Sequence, residues 1–144
     1  MKNPKMGKNS TRENDGIMIK EFVKEALAED IGRGDLYSLV EESVDVKADI
    51  IAKCDGVMAG RRYVDILCDM QGLEVVWGKK DGESFKKTDV LAIVRGDSHT
   101  LLSSERTILD ILLHASSIAT LTEKYADIIE PYGTKLLDTR KTRP

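Results

Sequence analysis

The run Lys135-Leu136-Leu137-Asp138-Thr139-Arg140-Lys141-Thr142-Arg143-Pro144 sets how the rest of the chain is read. Lys135-Leu136-Leu137 has the apolar character of a strand, so the cations Arg140, Lys141 and Arg143 and the hydroxyls of Thr139 and Thr142 crowd at a strand's C-terminal end. In open α/β sheets and α/β barrels ligands bind at that end, where loops splay over a packed interior. Arginine presents a rigid donor fork that matches a carboxylate or phosphate, lysine adds a mobile charge, and threonine hydroxyls serve the remaining lone pairs. The cluster therefore reads as an anion site, against the blander reading of a solvated charge run. A barrel strand without successors cannot close a sheet, so the chain is expected to be the front part of something longer.

Working outward, 144 residues hold one ordinary domain, or a smaller domain plus a piece of a second. An apolar fraction of 41% is enough for a core. The formal net charge of -3 lacks the electrostatic footprint of a nucleic-acid binder, so any anion must be held locally. No apolar run approaches the roughly 18 to 20 residues of a membrane span. The N-terminal cations Lys2, Lys5, Lys8 and Arg12 have no hydrophobic region behind them, so no signal peptide is expected. Cys54, expected in a strand, and Cys68, expected on a helix, match no metal-ligand spacing and read as reduced thiols of a cytoplasmic protein.

Residues 1–16 are polar and aperiodic and are expected to be a disordered tail. Ile19, Phe22, Val23, Ala26 and Leu27 predict an amphipathic helix over 17–30, ending before Gly32. Gly32-Arg33-Gly34-Asp35 is a turn. Its Arg-Gly-Asp recurs at Arg95-Gly96-Asp97, but this composition offers no adhesion context for either. Alternation predicts a strand over 44–54, three-to-four spacing a helix over 61–71 stopped by Gly72, and then strands over 73–77 and 90–94 around a charged turn at 79–89. The fold class is α+β: an open-faced α/β sandwich over 17–114, its antiparallel or mixed sheet carrying helices on one face. Residues 115–144 are then the first helix and strand of a truncated α/β barrel.

From Ser98 to Glu130 the pattern is helical, with a soft break at Ser116-Ser117. At about 100° per residue Leu101, Leu102, Ile108, Leu109, Leu112 and Leu113 share a face, with Glu105 near its middle and Arg106 at its edge. Glu105 is expected to find a cation or backbone donors, and Arg106 to lie beside whatever this helix packs against. Taken alone Arg106 reads as a surface or salt-bridge residue. His114, among leucines, is expected to be packed and hydrogen-bonded, and His99 to decorate the helix's first turn.

Glu105-Arg106-Thr107, Ile118-Ala119-Thr120-Leu121-Thr122 and Leu137-Asp138-Thr139-Arg140-Lys141-Thr142, in that order and spacing, resemble the quinolinate phosphoribosyltransferase family, the carboxylating nicotinate-nucleotide pyrophosphorylases. So do the blocks from Ala26 to Asp35 and from Ala52 to Gly60. The likeness runs from about Ile17 to Pro144. It departs at Tyr37-Ser38, where the family usually has threonines, and at Ser117, where it has glycine. What the resemblance implies is conversion of quinolinate and phosphoribosyl pyrophosphate to nicotinate mononucleotide, pyrophosphate and carbon dioxide in NAD biosynthesis, with magnesium as cofactor. It implies homodimers or higher homo-oligomers with shared sites, Arg106 gripping a quinolinate carboxylate in the partner's site. Thr139, Arg140 and Lys141 would line the substrate pocket of their own subunit, with Lys141 catalytic. It names no metal ligand here, places the Mg2+ ligands downstream, and leaves this chain inactive alone. Two alternatives stand: a same-fold, molybdenum-associated relative acting on another anion, and a non-catalytic biotinyl or lipoyl-like module. The second is motivated by the segment from Lys80 to Val94, which lacks the lysine between methionines that would carry such a cofactor.

Overall fold

The computed structural model describes residues 8–32 and 42–139. The Arg33-Gly34-Asp35 turn therefore lies outside the described residues. Helix α1 runs Lys8–Ile31, so it begins well ahead of the expected start at Ile17 and takes in most of what was read as a tail. Once a helix is nucleated each further residue adds a hydrogen bond at little cost. Asp15 in this extension also lies 3.8 Å from Arg62 on the next helix. Ile19, Val23 and Leu27 are buried at four-residue spacing, while Phe22 stays exposed.

The main sheet joins β1 (Asp45–Ile51), β3 (Glu74–Trp77) and β5 (Val90–Asp97) in the order β1-β5-β3, all antiparallel. Val46, Ala48 and Ile50 of β1, Ala92 and Val94 of β5, and Val75 and Trp77 of β3 fall on one side by register and meet the core. Lys47, Glu74, Arg95 and the exposed Val76 fall on the other, which leaves an open-faced sheet as expected. β1 stops at Ile51, so Cys54 sits exposed in the bend that follows rather than in a strand.

Helix α2 (Arg61–Gln71) matches its expected bounds because both ends are punctuated locally. Gly72 takes the left-handed conformation (φ 69°) at its C-cap. The indole of Trp77 donates to Asp65 Oδ1 at 2.7 Å, and the Arg61 guanidinium stands 5.1 Å from the same ring's centroid.

The charged turn at 79–89 hides a second sheet, β2 (Gly56–Val57) paired with β4 (Ser84–Phe85). Two-residue strands are too short for a period of two to register. Carboxylates hold this region by accepting main-chain N–H groups: Glu83 from Lys80, Asp89 from Lys86, Asp55 from Lys87. Those bonds are the main reason each acid sits below the usual carboxylate range.

Helix α3 runs Ser98–Ile129 without the expected break at Ser116-Ser117. Asp97 caps it, accepting from Thr100 N and Thr100 Oγ1 at 2.9 Å each. Its buried line is Leu101, Ser104, Thr107, Ile108, Leu112 and Ser116. The expected stripe holds in half: Leu101, Ile108 and Leu112 are buried, whereas Leu102, Leu109 and Leu113 are exposed, and so is Glu105, which needs no buried partner. Small hydroxyl residues, which apolar counting passes over, form much of the inner face. Beyond a short 3-10 turn at Glu130–Tyr132, residues 134–139 have no regular structure. The expected strand at Lys135-Leu136-Leu137 is absent, since among the described residues no strand lies alongside to pair with it.

Three outcomes follow from these contacts. Thr88 holds a positive φ of 80° although it is β-branched; Thr88→Gly should raise unfolding free energy by about 1 kcal/mol in urea melts. Cys68 is buried, and desolvation first, then the charges of Asp65 and Asp69, raise its thiol to about 11. A disulfide-exchange reagent at pH 8 should modify Cys54 at once and Cys68 only after denaturant is added. Asp55, Glu83, Asp89 and Asp97 all have lowered folded values. Their stabilisation is present above the unfolded carboxylate range and lost as pH falls through the lowered values. Tm should therefore hold from pH 7 to 5 and fall below about pH 4.

Candidate functional site

α1, the start of α2 and the middle of α3 leave an open groove of about 980 Å³ between them. Its apolar surface comes from Met18, Phe22, Tyr63, Ile111 and Ile118. Phe22 and Tyr63 meet edge to face with ring centres 5.8 Å apart. Gly60 lets the helices close up here: its φ is 100°, and a Cβ on it would stand 3.1 Å from that of Ala115. Yet Met18 is 71% exposed and Ile118 54%, so the groove's apolar lining faces outward.

The charged lining is confined to a few positions. Arg106, Asp110 and His114 recur at four-residue spacing along α3, and Glu29 and Asp30 face them from the last turn of α1. Arg106 Nε lies 3.2 Å from Asp30 Oδ1; the arginine side chain is 77% exposed and the aspartate 19%. Arg106 thus lies beside the element its helix packs against, as expected, but its partner there is an acid that the sequence reading passed over. The overlooked signal was local: Glu29-Asp30 puts two acids at the C-terminal end of a helix with no basic residue in that turn, where the dipole disfavours them. His114 is exposed on the groove wall, not packed as expected, because it lies about 200° around the helix from the buried Leu112.

Of the other residues singled out from the sequence, Thr139 is exposed in the irregular stretch 134–139 and does not line the groove. Arg140 and Lys141 lie outside the described residues. Among the described residues no three of His, Cys, Asp and Glu gather in a way that could hold a metal ion. Nor, among them, is any helix long and apolar enough to cross a membrane. What the arrangement offers chemically is one oriented guanidinium at the edge of an apolar surface wide enough for a flat ring or a second protein surface.

Residues 35–116 match the family described as quinolinate phosphoribosyl transferase, N-terminal domain. A probable carboxylating nicotinate-nucleotide pyrophosphorylase of Bacillus subtilis is 34% identical over 134 residues, covering 89% of this chain and 45% of the relative. A probable enzyme of the same description from Archaeoglobus fulgidus is 41% identical over 102 residues, 69% of this chain and 40% of the relative. The solved nicotinate-nucleotide pyrophosphorylase of Francisella tularensis superposes with a TM-score of 0.82 at 31% identity, over 90% of this chain and 47% of that one. This chain therefore spans about half the length of the curated relatives it matches.

Proposed function

From the premise that this chain belongs to the quinolinate phosphoribosyltransferase family through its N-terminal domain, we propose that it is part of an enzyme joining quinolinate to phosphoribosyl pyrophosphate. The products are nicotinate mononucleotide, pyrophosphate and carbon dioxide, and this part lacks turnover by itself. The observation that carries the reading is Arg106, a mostly exposed guanidinium on an open groove within the matched region.

The chemistry suits such a residue. Quinolinate is a dianion with adjacent carboxylates, and it repels the polyphosphate co-substrate unless cations stand between them. Loss of carbon dioxide beside the ring nitrogen requires the departing carboxylate to be held while electron density moves into the ring, and a fixed cationic cradle does that. In the proposed assembly, a homodimer or a higher homo-oligomer, Arg106 of one subunit grips a quinolinate carboxylate in the partner's site. Thr139, Arg140 and Lys141 of that partner line the same pocket, with Lys141 as the catalytic cation. Magnesium belongs to the proposal as the ion accompanying phosphoribosyl pyrophosphate. The described residues do not fit it, since they gather no ligand set. The proposed location is cytoplasmic.

The two alternatives fare differently. The segment from Lys80 to Val94 folds as β4 and most of β5, and it lies within the stretch matched to the quinolinate family, which removes the motive for a biotinyl or lipoyl-like module. A same-fold relative acting on another anion is separated from the preferred reading by titration with quinolinate against nicotinate.

The test joins this chain to the portion of the Bacillus subtilis relative that it does not cover. The chimera should release carbon dioxide from quinolinate only when phosphoribosyl pyrophosphate is present, and the 144-residue chain alone should release none. Arg106→Ala should lower kcat/KM about 100-fold, roughly the 3 kcal/mol of a lost charge-assisted contact. Mixing Arg106→Ala with Lys141→Ala subunits should recover about a quarter of the unmutated activity, because a two-fold mixed dimer keeps one intact shared site. Turnover by the isolated chain, or an Arg106→Ala chimera at full rate, would overturn the proposal.

A further inference from the structure

Asp30 is placed against the rules that govern the rest of α1. It lies in the last turn of a helix, where the unsatisfied carbonyls make a carboxylate unwelcome, and no basic residue of that turn offsets it. Its side chain is only 19% exposed, so water screens it less than it would a surface acid. The cation that compensates it stands on a different helix: Arg106 Nε at 3.2 Å. A local rule broken in this way, with its compensation coming from a candidate site residue, marks a functional constraint more than a packing one.

The geometry of the pair gives the constraint its content. A guanidinium offers a side edge through Nε and the adjacent Nη, and an end edge through Nη1 and Nη2. Asp30 takes the contact at Nε, and the arginine side chain remains 77% exposed. The end edge, which matches a carboxylate with two parallel bonds, is left for another acid. A long arginine side chain free in water would lose up to about 2 kcal/mol of rotamer entropy on binding, and a pre-formed Nε contact removes part of that cost. We infer that Asp30 is a positioning residue: it fixes the Arg106 guanidinium so that its Nη1–Nη2 edge faces a substrate carboxylate. This inference rests on the reading that Arg106 receives quinolinate, and it adds a residue that the reading does not require.

In this chain, the Nε–H of Arg106 followed by nitrogen-15 NMR should exchange at least tenfold faster in Asp30→Asn than in the unmutated protein. Asp30→Glu, which keeps the charge with a longer reach, should recover most of the protection. In the chimera, Asp30→Asn should raise the KM for quinolinate about tenfold with kcat within twofold, and Asp30→Glu should restore it in part; a purely structural tie would lower Tm and leave the KM of the folded fraction unchanged. Unaltered exchange, or an unaltered KM in Asp30→Asn while Arg106→Ala still loses about 100-fold, overturns the role of Asp30 and leaves the proposed function standing. An Arg106→Ala chimera with full activity overturns both.

Discussion

The arrangement depends on how one short stretch of backbone is satisfied. β2 is paired on one side by β4, which leaves main-chain donors on its other side that would be costly if buried alone. α3 supplies the acceptors through side chains: Val57 N–H donates to Thr120 Oγ1 at 2.9 Å, and Ala59 N–H to Ser116 Oγ at 3.2 Å. Thr120 Oγ1 in turn donates to the Ser116 carbonyl at 2.7 Å, which orients its lone pairs toward the strand. Space is as tight as the bonding, since a Cβ on Gly56 would stand 2.9 Å from Thr120 Oγ1 and 2.7 Å from Phe85 Cζ. These hydroxyls fix both the position and the rotation of α3. The rotation decides that Arg106, Asp110 and His114 border the groove and that Glu105 does not.

How much of this could be read from the sequence follows from where each signal resides. α2 was legible because Gly72 ends it through its own backbone, and β1 was legible because alternation on a half-covered sheet is a local pattern. β2 and β4 were not, for their identity lies in pairing across the turn at 79–89 rather than in either dipeptide. The face of α3 was read only in half because Ser104, Thr107 and Ser116, which hydrophobic counting assigns to the wet side, are buried together with Leu101, Ile108 and Leu112. The serine pair taken for a weak point in the helix contains one of its ties. The start of α1 was set too late because a polar segment has no period to show, although a helix already nucleated downstream can extend through it.

The candidate site was legible to the same degree. The edge position of Arg106 on α3 came from helical spacing and held, whereas the acid expected to need a partner was Glu105, which is exposed, and the acid that meets a cation is Asp30. Sequence spacing ranks neighbours on one helix; it has no access to the crossing of α1 over α3 that sets Asp30 against Arg106. The clue that did exist was thermodynamic, a pair of acids at the unfavourable end of α1. Such a mismatch identifies a residue held by something outside its own element, without saying what.

The charges around the groove bear on why such a site would be shared. Arg106 carries one positive charge with Asp30 3.2 Å away, and Glu29 and Asp110 stand on the same groove. An incoming dicarboxylate meets a surface on which three carboxylates stand beside one guanidinium. Two like charges at 4 Å repel by about 4 kcal/mol at the effective dielectric of a protein surface, so the groove by itself gives little Coulombic attraction. On the proposed reading Arg106 contributes direction, a fork presented at a fixed angle, and not field. Under the proposed reading the field comes from Arg140 and Lys141 of the partner subunit. Orientation and charge are thereby divided between two chains, and binding of the dianion becomes conditional on assembly.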